Sequence, residues 1–136
     1  MTALPRPRPA RDADTRGFFE AAARRELAVN ACASCGTVLH LPRPYCHHCG
    51  SFDTEWRPVR GRARLVSWTT VHQAFHPAFD VPYTVVLVEL DDAPGVRLAG
   101  HLPGEPDLVD GMAMEVRFEA VDGDVVLPQW VPMGEG

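Results

Sequence analysis

The sequence contains no lysine, and all 13 of its basic side chains are arginine. Eleven of these arginines precede Leu65, together with 6 acidic residues, whereas the rest of the chain holds 2 arginines and 12 acidic residues. The first part therefore carries about +5 and the second about −10. A basic half of this kind indicates an anionic ligand or an acidic partner surface, unless its arginines are merely solvated.

The sequence also lacks an apolar run of about 18 residues, which a transmembrane helix requires. Its first residues, Met1-Thr-Ala-Leu-Pro-Arg, lack the apolar stretch of a secretion signal. We therefore expect a cytoplasmic protein with no membrane partner. A length of 136 residues and an apolar content of 46% are sufficient for one ordinary domain or two small ones.

Cysteine is scarce, and all four cysteines lie in two Cys-x-x-Cys-Gly turns that are separated by ten residues. The four are Cys32, Cys35, Cys46 and Cys49. Each turn directs two thiolates to one place, and two turns supply the tetrahedral sulfur set that suits Zn²⁺ first and iron second. Four protein thiolates leave no open position for a substrate, so the expected role is structural.

Other interpretations of the cysteines are two disulfides, four buried thiols, or a redox pair. A reducing compartment and the close spacing disfavour disulfides, and no thioredoxin-like pattern surrounds either turn. His47 and His48 lie inside the second turn and are possible substitute ligands. With four thiolates present, we expect both histidines to face solvent.

The pattern before the cysteines predicts a tail and a helix. Residues 1–13 are rich in proline and arginine and predict a disordered or extended tail. Asp14 or Thr15 can cap a helix that runs to about Arg25. Its apolar strip, which covers either the chain's own core or a partner subunit, consists of Phe18, Phe19, Ala22 and Ala23.

The remaining pattern predicts a mainly β chain in two parts. The helix and a lead-in strand occupy residues 14–30, a zinc ribbon residues 31–60, and a barrel residues 61–133. The predicted ribbon strands are Leu27–Ala31 and Thr37–Leu41. The predicted barrel strands are Arg62–His72, Tyr83–Leu90, Val96–Leu102, an alternating run from Met112 to Glu119, and Val125–Val131.

Details of these five strands favour a small Greek-key barrel of the OB type. The first strand is long enough to bend and serve two sheets. Tyr83–Leu90 is nearly continuously apolar, which predicts burial on both sides. Asp122-Gly123 predicts a hairpin turn into the last strand, and Pro128 predicts that this strand is an edge or carries a bulge.

The order of these features resembles the DUF35 family, a rubredoxin-like zinc ribbon fused to an OB-fold and described as acyl-CoA-associated. The resemblance covers about residues 14–133. The sequence departs from the usual family pattern at Phe19, where Trp is common, and at Leu41, where a second Pro is common. The residues that carry the resemblance are Phe18-Phe19, Leu27, Cys32–Gly36, Leu41-Pro42-Arg43, Cys46–Ser51, Trp56, Gly61, Asp110-Gly111-Met112 and Leu127-Pro128.

The resemblance implies an accessory subunit in lipid or steroid metabolism that binds acyl-CoA thioesters, or completes a CoA-thioester site, in a heteromeric complex. The implied partner is a thiolase-fold enzyme, either a thiolase or a steroid side-chain aldolase, with a MaoC-like enoyl-CoA hydratase as the alternative. The chain is not expected to be an enzyme by itself. Because CoA carries several phosphates, its candidate contacts are the arginines at the junction of ribbon and barrel, Arg57, Arg60, Arg62 and Arg64.

The loop between the first two barrel strands is aromatic and contains histidines. No serine elbow accompanies His72, His76 or His101, so we assign no catalytic residue, although an imidazole can act as a base near neutral pH. The loop instead predicts a contact with an acyl chain or a partner. With the helix, its candidate contact residues are Phe18, Phe19, His72, Phe75, His76 and Phe79.

Two other functional classes fit parts of the sequence. Ribbons and OB barrels also bind single-stranded nucleic acid, but this requires a positive groove with stacking aromatics, and the barrel half carries about −10. An iron-binding electron carrier of the rubredoxin type does not explain the long appended barrel. Both classes are less favoured than the accessory subunit.

Overall fold

The computed structural model describes residues 6–121 and 125–134, and within these residues the regular structure consists of one helix and seven strands. The predicted hairpin turn at Asp122-Gly123 lies outside the described residues. In the described part, no helix is long and apolar enough to cross a membrane. The elements are α1 (Arg16–Ala23), β1 (Leu27–Cys32), β2 (Thr54–Val59), β3 (Arg62–Val71), β4 (Tyr83–Leu90), β5 (Arg97–Pro103), β6 (Ala113–Val121) and β7 (Val125–Pro132).

Helix α1 starts where the sequence predicts and ends two residues earlier. Thr15 occupies the N-cap position, but its side chain makes no capping bond, and Asp12 Oδ1 instead accepts the Thr15 N–H at 2.9 Å. The helix ends because Arg25 has a left-handed backbone, with φ of 64°. Ala22 is buried as predicted, whereas Ala23 is exposed because Ala21 takes the inward position.

The ribbon sheet pairs β1 with β2 in antiparallel register, from Leu27 opposite Val59 to Cys32 opposite Thr54. The predicted ribbon strand at Thr37–Leu41 is therefore wrong. That segment makes only an isolated bridge to β1, because it runs beside β1 briefly before Pro42, which has no N–H to donate. All six residues of β1 are buried.

The second sheet has the strand order β5-β4-β3-β6-β7. Its long first strand, β3, pairs with both β4 and β6, and an irregularity between Leu65 and Ser67 accompanies this change of partner. The sheet is open between β5 and β7, where Gln129 Oε1 accepts the His101 N–H at 2.8 Å. Strand β7 is an edge strand and contains Pro128, as the sequence predicts.

The core lies inside this curved sheet and extends to β1. Leu27 and Val29 of β1 belong to the same buried cluster as Trp130 and Met114, both of which are fully buried. The alternation predicted for β6 is confirmed at Met114, between exposed Ala113 and Glu115. Ribbon and barrel therefore share one hydrophobic core.

Strand β4 is buried on one side only, which corrects the prediction of burial on both sides. Its burial alternates, with Thr84, Val86, Val88 and Leu90 facing the core. Tyr83, Val85 and Leu87 face outward and are half-buried. The apolar run thus reflects a barrel whose outer surface is also apolar along this strand.

Helix α1 approaches the ribbon closely at Gly17, where a Cβ atom would overlap the indole ring of Trp56 in β2. We expect Gly17→Ala to destabilise the protein by about 1–3 kcal/mol, because the helix or the ring must shift to relieve the overlap. Thermal unfolding measures this effect. Gly134→Ala is the control, since a Cβ there meets nothing within 4 Å, and equal melting temperatures for the two variants would contradict the packing.

Candidate metal centre and barrel surface

The four predicted cysteines converge on one point. Their Sγ atoms all lie within 4.8 Å of one another. Cys32 Sγ lies 3.6 Å from Cys49 Sγ, and Cys35 Sγ lies 3.7 Å from Cys46 Sγ. A tetrahedral zinc site with Zn–S bonds of about 2.3 Å has S–S edges of about 3.8 Å. The spacing of the sulfurs therefore fits a single metal ion.

Backbone N–H groups point at the sulfurs from the same turns. Cys35 N–H donates to Cys32 Sγ at 3.4 Å, and Cys49 N–H donates to Cys46 Sγ at 3.4 Å. Gly36 and Gly50 follow with φ of 80° each, a backbone conformation that favours glycine. This geometry explains why the sequence has glycine directly after each pair of cysteines.

Hydrogen bonds favour thiolates at two of the four positions. The N–H of Cys35 lowers the pKa of Cys32. The Thr37 hydroxyl and N–H lower the pKa of Cys35 to about 5. At Cys49 the N–H of Ser51 lowers the pKa, but the contact with Cys32 and burial outweigh it and raise the pKa to about 12. A divalent cation would replace the protons that this cluster otherwise shares.

The four-cysteine cluster has one buried side and one exposed side. Cys32 and Cys46 are fully buried with Leu39, whereas Cys35 and Cys49 are exposed. His47 and His48 are both exposed. The four thiols complete a tetrahedral set without them, so the site has the closed character of a structural metal centre.

We expect Cys46→Ala to abolish metal binding and unfold the ribbon while the β content of the barrel remains. Structural zinc contributes about 10–16 kcal/mol of apparent stability in small zinc peptides, and the ribbon has little core of its own. Metal analysis, far-UV circular dichroism and thermal melting test this expectation. His47→Ala is the control and should keep the metal; an unchanged metal content in Cys46→Ala would refute the four-sulfur site.

The arginines at the junction lie on the surface, and two of them bind carboxylates. Arg60 makes a double contact with Asp92, at 2.7 Å from Nη2 to Oδ1 and 3.2 Å from Nε to Oδ2, and this contact lowers the pKa of Asp92 to about 2. Arg57 contacts Glu55 at 3.5 Å. Arg62 and Arg64 point outward on β3, so the four arginines do not form one cluster free of counter-charges.

The predicted loop residues lie apart from those of the helix. Phe18 packs against the main core, and Phe19 lines a groove of about 230 Å³ beside Trp56. In the loop, Phe75 is 72% exposed and His72 lies 3.6 Å from Glu105. The groove beside Phe19 is lined mainly by apolar atoms of α1, the ribbon and the barrel.

Sequence inspection missed a second groove on the outer face of the barrel, here named the aromatic groove. Its volume is about 350 Å³. The ring centroids of Tyr83 and His101 are 5.0 Å apart, and those of Phe79 and His101 are 5.6 Å apart. The alternation of β4 and β5 was the signal that could have indicated it. The groove is lined by Phe79, Tyr83, Val85, Ala99, His101 and Leu127, together with Arg6, Pro7, Gly100 and Gln129.

Burial lowers the pKa of His101, and the charge of Arg6 lowers it further, while Glu119 raises it. The folded state binds a proton at His101 less readily than the unfolded state does. The neutral ring therefore contributes to the stability of the fold above the unfolded pKa of 6.5, and this contribution is lost as pH falls through the lower pKa of the folded state.

An NMR titration of the His101 ring should therefore have its midpoint below 6.5. The His101→Gln variant should lose the corresponding part of the pH dependence of the melting temperature. A midpoint at or above 6.5 would contradict the buried position of the ring.

Two family models match adjoining parts of the chain. The rubredoxin-like zinc ribbon domain of ChsH2 matches residues 19–55, and the C-terminal OB-fold domain of ChsH2 matches residues 56–119. These matches confirm the predicted mainly β architecture of a helix, a zinc ribbon and an OB-fold. The OB-fold sheet is not closed, as its strand order indicates.

A solved structure titled "Ltp2-ChsH2(DUF35) aldolase" contains a chain that is 38% identical to this one. The TM-score is 0.85, and the match covers 92% of this chain and 98% of that chain. The similarity thus extends over almost the whole of both chains.

Two curated relatives are subunits of hydratases. The chain is 41% identical over 129 residues to the probable enoyl-CoA hydratase alpha subunit of Thermomonospora curvata. It is 29% identical over 123 residues to the 3-oxo-4,17-pregnadiene-20-carboxyl-CoA hydratase alpha subunit of Mycobacterium tuberculosis. The matches cover 93% and 90% of this chain but 40% and 37% of those proteins, so the chain spans about two fifths of their length.

Proposed function

The chain belongs to the DUF35 family, in the form of a ChsH2-type zinc ribbon and OB-fold, and on this basis we propose that it is an accessory subunit of an enzyme that acts on acyl-CoA thioesters. The observation that carries the proposal is the near-complete match to the DUF35 chain of a solved aldolase. A structural zinc ion at Cys32, Cys35, Cys46 and Cys49 belongs to the proposal.

The expected partner is a thiolase-fold aldolase. The supporting observation is the solved aldolase, whose chain is 38% identical to this one with a TM-score of 0.85. The names of the two relatives support an enoyl-CoA hydratase of the MaoC-like type as the second candidate.

An accessory role agrees with the chemistry of the described residues. The four thiols form a closed site, which offers no open metal position to a substrate. In residues 6–121 and 125–134, no hydrogen bond joins a serine hydroxyl to a histidine ring, so no pair of nucleophile and base is assembled. The reacting groups would then come from the partner enzyme.

Within this proposal, the CoA phosphates are bound by the two junction arginines that are exposed on β3. Arg57 and Arg60 contact carboxylates, and a phosphate would have to displace these carboxylates. Arg62 and Arg64 are exposed on neighbouring outward positions of β3, and Arg64 Nη1 donates to the Gly111 carbonyl at 3.3 Å. They are the better candidates for binding a phosphate.

We expect the double variant Arg62→Ala, Arg64→Ala to weaken CoA-thioester binding by the complex about tenfold, since it loses charge-assisted contacts to phosphate. Titration calorimetry with the purified complex measures this loss. Arg117→Ala is the matched control, because Arg117 is an exposed arginine on β6. Equal affinities for both variants would exclude these arginines from the CoA site.

Native purification of the tagged chain, with mass identification and metal analysis of the same sample, tests the proposed function. The expected result is a thiolase-fold protein that co-elutes with about one zinc per chain and cleaves a CoA thioester only with this chain present. A hydratase in its place would establish the second candidate. Recovery of nucleic acid, or of iron without a protein partner, would overturn the accessory role.

A further inference from the structure

The alternating proline and arginine residues at the start of the described chain lie partly against the barrel, although Pro7 and Arg8 are themselves exposed. Arg6 and Pro9 are half-buried, and Arg6 and Pro7 line the aromatic groove. This part of the predicted tail therefore lies on the outer face of the barrel. Alternating prolines favour an extended polyproline conformation, which loses little entropy on binding.

Arg6 makes two contacts in the groove. Its Nη1 donates to Glu119 Oε1 at 2.6 Å, and its guanidinium carbon lies 5.3 Å from the centre of the Phe79 ring. The side chain is 24% exposed, so both contacts are partly shielded from water. An arginine that is paired with a carboxylate and stacked on an aromatic ring is held in both position and direction.

The acceptor for Arg6 is itself fixed by the barrel. Gln129 Nε2 donates to Glu119 Oε1 at 3.3 Å, and Gln129 Oε1 accepts the His101 N–H at 2.8 Å. Glu119 is thereby connected through one side chain to β5 and to the aromatic rings beside it. The carboxylate and the apolar groove thus form one preorganised surface.

An aromatic groove with an adjacent carboxylate is the combination by which proteins bind extended proline-rich segments that contain arginine. We propose that the barrel face that carries Phe79 and Glu119 is a binding site for such a segment, and that residues 6–9 of this chain occupy it, with Arg6 and Pro7 forming one wall of the aromatic groove. Arg6 contacts the carboxylate of Glu119, and Pro7 lines the groove beside it. The assignment is independent of the proposed function.

The consequence is competition for the groove. A segment tethered to the same chain reaches an effective concentration of the order of millimolar. It therefore excludes a free peptide of the same chemistry from Glu119 and from the adjoining wall of the aromatic groove. Release of the segment would uncover this surface next to the loop that carries Phe75 and Phe79.

The first test uses charge reversal in the full, zinc-loaded chain. Arg6→Glu should release the segment, shift the amide signals of Gly100 and His101, and raise the pKa of His101, which Arg6 lowers. Arg11→Glu is the matched control, because Arg11 is exposed and makes the same change in net charge. Equal effects of the two variants on His101, or none in Arg6→Glu, would overturn the proposal.

The second test supplies the segment as a separate peptide with the sequence of residues 1–11. It should bind the Arg6→Glu chain, with NMR shifts confined to the aromatic groove, and bind the unaltered chain at least about tenfold more weakly. A second variant with Glu119→Gln added should bind the peptide about fivefold more weakly than Arg6→Glu alone.

A peptide of scrambled order and identical charge is the control. Equal binding of the scrambled peptide would show that only the net charge of the barrel is recognised, and it would overturn the proposal. Absence of binding to the Arg6→Glu chain, whose fold is checked by its melting temperature, would overturn it as well.

Discussion

The burial of β1 is the constraint on which the rest of the structure depends. Leu27 and Val29 at its beginning belong to the core inside the barrel, and Cys32 at its end belongs to the cluster of thiols. Because all six residues are buried, the strand is fixed by the barrel at one end and by the metal site at the other. The geometry of the four sulfurs and the position of α1 against the core follow from this placement.

Ion pairs also connect the N-terminal part of the chain to the barrel. The strongly basic first half and the acidic second half suggested an external anionic or acidic partner, yet arginines of the first half also pair with carboxylates of the second. Arg60 binds Asp92 at the junction, and Arg6 binds Glu119 on the barrel. Part of the charge asymmetry is thus neutralised internally, and the exposed arginines on β3 are among those available to another molecule.

Local patterns in the sequence predicted most of the fold. The spacing of the cysteines and their glycines determines the metal cluster, and the alternation around Met114 gives β6 its register, because both depend on neighbours in the chain. The partner of β1 was misassigned, since pairing with β2 depends on residues 22 or more positions away. The aromatic groove was missed for the same reason, because its lining brings together Arg6, Phe79 and Leu127 from distant parts of the chain.

The two edge strands, β5 and β7, meet at a seam that is the weakest junction in the barrel, and a tryptophan lies beside this seam. Every other pair of neighbouring strands in this sheet is joined by a ladder of backbone bonds, whereas the side chain of Gln129 spans the seam. Small widening motions would therefore concentrate there at little enthalpic cost. Trp130 lies directly behind the seam, against Gly100, and its indole N–H has no partner in the described part of the chain. A water molecule that enters there would accept a hydrogen bond from the Trp130 indole N–H. The fluorescence of Trp130 would therefore report the transient opening of the barrel between β5 and β7.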